Sequence, residues 1–148
     1  VVEPAARSAS TSPPRASATT AAAQRDRRRR ISDDDADGDR ARERLRGEQL
    51  VAPELIDLEV VSTLRRAARA DRLDARRSAQ ALTDLAALPL RRVPHLPLLT
   101  RVWELRHNLS AYDASYVALA EALDTVLVTA DGRIERASGI NCEIAVLD

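Results

Sequence analysis

Beyond residue 38 the chain alternates short apolar runs with spans of helical period, and that alternation restricts the fold more than any other feature. Residues 126–128 read as the clearest buried strand, and 142–146 alternate like an edge or second core strand. Residues 49–52 read as a short buried strand or link, and 88–93 as a strand with Leu90 inward and Arg91 and Arg92 near its end. Helices are expected over 54–70, 74–88, 98–106 and 112–123. Pro53 is expected to open the first of these, where its missing N–H costs nothing, and Asp74 starts the second. Val60, Val61, Leu64, Ala67 and Ala68 form the apolar side of the first helix, while Tyr112, Tyr116, Leu119 and Leu123 recur on one face of the last. A brief polar helix over 40–46 ends at Gly47. Strands separated by helical spans favour an α/β sandwich with a mostly parallel central sheet.

A chain of 148 residues holds one domain and a tail. With no Phe or Met and a single Trp, its core must come from Leu, Val, Ile and Ala. The 23 basic residues are all Arg and balance 23 acids, so no global nucleic-acid field is implied, although a local basic patch remains open. The balance is uneven. Residues 1–24 hold eight Ala, seven Ser or Thr and three Pro, too little large apolar surface to offset the entropy of ordering. Five Arg follow between 25 and 30, then Asp33, Asp34, Asp35, Asp37 and Asp39. Residues 1–37 are therefore expected to be an atypical segment, disordered or the product of a sequence error, and 38–148 to form the domain. Lone Cys142 excludes an internal disulfide and suits the cytoplasm. No run free of Asp, Glu and Arg exceeds nine residues, well short of the roughly 20 apolar residues that cross a bilayer.

Three acids stand where solvent exposure is the least comfortable explanation. Glu59 lies mid-helix off the apolar stripe, Asp113 lies in the first turn of a helix, and Asp131 follows the strand ending Val128-Thr129-Ala130. Ligands of open α/β sheets sit beyond the strand carboxyl ends, which is where the local pattern puts Asp131. Clustered carboxylates repel unless protonated or paired with a cation, and Mg2+ or Mn2+ satisfies them while also binding phosphate oxygens. Phosphodiester hydrolysis is the natural chemistry of such a set. The same residues also have ordinary structural uses: Asp113 as a helix cap, Asp131 before Gly132 as a turn, Glu59 as an exposed helix position. Arg106 is a candidate RNA contact or ion-pair partner, and Thr129 is placed to orient Asp131. Trp103 and Tyr116 read as core or interface aromatics. His95 and His107 are too poorly spaced for a shared zinc.

The stretches Ala52-Pro-Glu-Leu-Ile-Asp-Leu-Glu-Val60, Leu105-Arg-His-Asn-Leu-Ser-Ala-Tyr-Asp-Ala-Ser-Tyr-Val-Ala-Leu-Ala-Glu121 and Leu127-Val-Thr-Ala-Asp131 resemble the PIN-domain toxins of the VapC family, in family order and spacing. The resemblance implies a PIN-like α/β/α sandwich and a Mg2+-dependent endoribonuclease (Mn2+ being the alternative ion). It also implies a homodimer and inhibition by a cognate VapB antitoxin. By motif it makes Glu59, Asp113 and Asp131 the catalytic and metal-binding acids, with Thr129 and Asn108 in supporting positions. Such proteins open with a strand ending Val-Val-Asp-x-Ser, whereas this chain opens Val1-Val2-Glu3-Pro4-Ala5. Glu3 would then replace an Asp ligand with a carboxylate one methylene further out, and it stands too far ahead of Glu59 for an ordinary member. The same departure implies that the first strand is lost and supports a second reading, a catalytically impaired PIN-like module that still binds its antitoxin.

Overall fold

The computed structural model describes Thr19–Thr20, Glu43 and residues 47–147. Glu3, the Arg run at 25–30 and the acids from Asp33 to Asp39 lie outside the described residues. So does most of the helix expected over 40–46, of which Glu43 is helical and Gly47 follows at a φ of 81°.

The first described strand, β1 (Thr19–Thr20), falls in the Ala- and Ser-rich segment expected to lack structure. Its two β-branched residues suit extended backbone, and they pair in parallel with Leu127 and Val128. A strand thus stands where the sequence implied one had been lost. The strand β2 (Leu50–Pro53) pairs in parallel with β3 (Leu90–Val93), and β4 (Leu127–Thr129) in parallel with β5 (Ile144–Val146). Hydrogen bonding gives two sheets, β1-β4-β5 and β2-β3, and β1 lies against β2 where the two meet. Pro53 closes β2 instead of opening a helix: it is buried opposite Val93, and the ladder takes its next donor from Glu54, whose N–H bonds the Val93 carbonyl at 2.9 Å.

Two helices follow β2 as a hairpin, α1 (Ile56–Arg69) and α2 (Ala75–Ala87), with Asp74 capping the second through the Arg77 N–H at 2.7 Å. Only Ile56 of the pair is buried, so the hairpin forms an outer layer, and the stripe expected on α1 is half-buried apart from exposed Val61. Arg92 of β3 fastens it. Its Nε reaches both Asp57 oxygens at 3.0 and 2.8 Å, and its Nη2 reaches the Leu85 carbonyl at 2.8 Å. Across the sheet run a 3-10 turn (Leu96–Leu98), α3 (Leu99–Glu104), a second 3-10 turn (Leu105–His107) and α4 (Ala111–Ala122).

The helix α4 is the spine of the core. Every residue from Ala114 to Ala120 is buried, and the small Ala114, Ser115, Ala118 and Ala120 let neighbouring elements approach closely. A single apolar stripe is therefore the wrong description. Tyr112 and Leu123, expected on the buried face with Tyr116 and Leu119, lie at the ends of the helix and are exposed. After β4 comes α5 (Gly132–Glu135), a single turn where the sequence suggested no helix. The loop leading to β5 is held by Arg101 of α3, which donates to Glu121 of α4 at 2.6 and 3.0 Å and to the Gly139 carbonyl at 2.6 Å. Among the described residues, no helix is long and apolar enough to cross a membrane.

Candidate active site

Glu59 and Asp131 each lie just beyond the carboxyl end of a strand, Glu59 in the first turn after β2 and Asp131 directly after β4. Asp113 comes from the first turn of α4, where a negative charge is favoured by the unpaired N–H groups. Ser110 caps that helix. Its hydroxyl accepts from the Asp113 N–H at 3.2 Å and donates to Asp113 Oδ2 at 2.7 Å, which fixes the carboxylate against its own helix.

Three residues further along α4, on the same face, lies Tyr116. Its ring is buried and its hydroxyl donates to Glu59 Oε2 at 2.5 Å, joining residues 57 apart in the chain. Burial pushes the phenol far above its ordinary pKa; the Glu59 hydrogen bond and the negative fields of Glu59, Asp113 and Asp57 add to the shift. Glu59 is thereby tied to the helix that carries Asp113. Asp57 adds its field there too, but its carboxylate is engaged by Arg92. Tyr116 read as a core or interface aromatic in the sequence; its three-residue step from Asp113 is the signal that could have joined it to the acids.

Asp131 is arranged differently. It is buried, caps α5 by accepting the Arg133 N–H at 3.0 Å, and receives the Arg133 guanidinium on both oxygens, Nε at 2.8 and 3.1 Å and Nη2 on Oδ2. The Arg133 hydrogen bonds hold its carboxyl below the usual carboxylate range against the opposing effect of burial, and Arg136 adds a positive field. Buried Thr129 accepts the Asp131 N–H at 3.0 Å. Asn108 donates instead to the Ser138 carbonyl at 2.9 Å, securing the loop before β5. Arg106 lies over the exposed Trp103 ring, 4.8 Å from its centroid, and donates to the Trp103 carbonyl. Burial raises the Cys142 thiol to about 11, which leaves it protonated and unreactive near neutrality.

Carboxylate oxygens are the hard donors that Mg2+ and Mn2+ take. Glu59 and Asp113 are donors of that kind, each half-buried, the first bonded to Tyr116 and the second to Ser110. Asp131 in this arrangement gives its lone pairs to Arg133, and among the described residues no group of three His, Cys, Asp or Glu stands ready to hold an ion.

The PIN domain family model matches residues 30–140. The chain belongs to the PIN-domain family. Its relatives within that family are VapC proteins, and the chain is itself a member of the VapC group. The VapC ribonuclease Mb0985 of Mycobacterium bovis is 48% identical over 108 residues, 73% of this chain and 85% of that protein. Ribonuclease VapC9 of Mycobacterium tuberculosis matches to the same extent. Ribonuclease VapC1 of Mycobacterium tuberculosis is 46% identical over 97 residues, 65% of this chain and 73% of that protein. The parallel strand pairs flanked by helices are the α/β arrangement expected of a PIN domain.

Proposed function

We propose that this VapC-family protein is the toxin of a type II toxin–antitoxin pair, an endoribonuclease that cleaves RNA phosphodiester bonds with Mg2+, Mn2+ being the alternative ion. The observation that carries the reading is the hydrogen bond from Tyr116 to Glu59, which ties one acid to the helix that bears Asp113, from elements far apart in sequence. Carboxylates that meet in a half-buried site suit a divalent cation. The relatives named above are ribonucleases, which agrees with that chemistry.

In this reading Glu59 and Asp113 hold the ion, and Asp131 joins them once its carboxylate is released from Arg133. The ion, when bound, polarises a phosphate oxygen and lowers the pKa of an attacking water. The chain's own groups set the geometry. Ser110 keeps Asp113 from turning away, Tyr116 keeps Glu59 in place, and Thr129 fixes the backbone at Asp131. Exposed Arg106 supplies charge for the RNA backbone. The domain is taken as 38–148, the partner as a VapB-like antitoxin, the assembly as a homodimer and the compartment as the cytoplasm. Purified protein is expected to cleave structured RNA with Mg2+ or Mn2+, to stop when chelated, and to lose at least about a hundredfold in rate with Asp113→Asn. Cleavage that survives rigorous chelation, or that Asp113→Asn leaves intact, would refute the assignment.

One observation favours a second reading. The chain around β1 carries no Asp or Glu between Glu3 and Asp26, so this strand brings no carboxylate of its own. A domain short of that ligand would bind its antitoxin and cleave poorly. Antitoxin binding retained in chelator, with no divalent uptake by calorimetry, would establish this second form.

A further inference from the structure

From Leu96 to His107 the chain runs through consecutive 3-10 and α turns, and this run carries two apolar stripes. Leu98, Val102 and Leu105 face the core and are buried. Leu96, Leu99 and Trp103 face water, 73%, 47% and 68% exposed, and Arg106 continues their line with its guanidinium over the Trp103 ring. Trp103 is the sole Trp of a chain without Phe, yet the core makes no use of it. A run of exposed apolar side chains edged by polar ones marks an interaction surface, and Trp and Arg are residues on which binding energy concentrates between proteins.

The spacing indicates what covers the stripe. Positions 96, 99, 103 and 106 stand three, four and three residues apart, a series that is its own reverse. Laid antiparallel against a second copy, about a two-fold axis at Arg101, the stripe sets Leu99 of one copy on the partner's Trp103 and Leu96 on the aliphatic stem of the partner's Arg106. The Arg101 side chain is turned away, onto Glu121 and the Gly139 carbonyl, so it puts no charge on that axis. Charge agrees with the pairing. Glu54 lies 3.2 Å from His95 at the Leu96 end, while Arg106, at the other end, has no carboxylate partner among the described residues. Antiparallel copies therefore bring opposite charges together at the rim. There they set register more than affinity, and the guanidinium stays in water, open to the RNA backbone.

We propose that this stripe is the surface through which two copies of the chain associate, with Leu99 and Trp103 at its centre. This rests on the homodimer of the reading above and gives that homodimer a face; it needs neither a metal nor cleavage. Because the contact is isologous, a single substitution strikes it twice.

The test uses the full chain, whose single indole reports on its own cover. Analytical sedimentation is expected to show a monomer–dimer equilibrium, with Trp103 emission moving to longer wavelength as dilution exposes the ring. Leu99→Asp and Trp103→Arg should each raise the dissociation constant by about 30-fold or more. Leu58→Asp, at an exposed apolar position on α1, should leave it unchanged. Mixing the two weakened variants should restore the dimer: one contact then joins the two new charges, of opposite sign, and the other is the native Leu99 on Trp103. Only antiparallel pairing allows that rescue, and a general disturbance of the fold would not give it. A wild-type chain that sediments as a monomer at every concentration would remove the homodimer reading and this surface together. A dimer that both variants leave intact, or that mixing does not restore, would remove this surface alone. Emission of a buried indole in the monomer would mean that the chain covers the stripe itself. Emission that ignores protein concentration but is quenched by a short single-stranded RNA would assign the stripe to RNA, and either result would overturn the proposal.

Discussion

Asp131 and Arg133 show how a single pair makes stability depend on pH. The guanidinium holds the folded-state pKa of Asp131 below its unfolded value. The pair therefore contributes in full above the unfolded pKa and loses its contribution as pH falls through the folded one. Arg133→Ala should lower the urea midpoint near neutrality, and the gap to wild type should close below pH 4, in urea titrations run from pH 7 downward. A gap that stays constant into acid would show that the carboxylate does not titrate against this partner. At this scale the sequence was informative about the acids and silent about what they touch. Glu59, Asp113 and Asp131 were visible because each interrupts a local pattern. The hold of Arg133 on Asp131 was not, since it depends on a one-turn helix that four residues beginning with Gly do not announce. The hold of the Tyr116 phenol on Glu59 was hidden by a separation of 57 residues, which no local period records.

Among the elements, β2, β3, β4, β5 and the four longer helices emerged from apolar spacing and caps, because each repeats a local rule along its own length. Pro53 misled: its fixed backbone suits a helix start, but it suits equally the end of a strand whose next donor comes from Glu54. Tyr112 and Leu123 misled because periodicity assigns a face, and α4 has burial on all faces in its middle and on few at its ends. The loop between α5 and β5 is tied down in part by the Glu121 carboxylate, beside the bonds from Asn108 and Arg101. Burial works against the charge of Glu121, but the Arg101 hydrogen bonds and the Asn141 N–H hold its pKa below the usual range. Glu121→Gln should cost about 1–2 kcal/mol in denaturant unfolding. In hydrogen exchange it should loosen the loop over 136–143 before it loosens α4. Uniform loosening of both would mean that the loop is held by packing instead.

At the scale of the whole molecule, the parallel α/β architecture was legible and the strand β1 was not. Two threonines in an Ala- and Ser-rich stretch carry no apolar signal. Their pairing partners, Leu127 and Val128, are supplied by the far end of the chain. If β1 joins the two half-sheets, replacing both Thr19 and Thr20 by Pro should remove its ladder and lower stability by roughly 1–3 kcal/mol, read from the urea midpoint. An unchanged midpoint would show that the sheet stands without it. At the other side of β4, Leu127→Ala opens a cavity in a fully buried position and should cost about 3 kcal/mol.

The pairing of Thr19 with Leu127 also orders events in time. The first of these residues leaves the ribosome more than a hundred residues ahead of the second, so the middle of the sheet has to wait for its neighbour while α1, α2 and β3 are already able to assemble. Closing so long a loop is slow. During that interval the nascent chain shows an open seam between its halves, the stage at which a chaperone or a ready-made binding protein would find the most to hold.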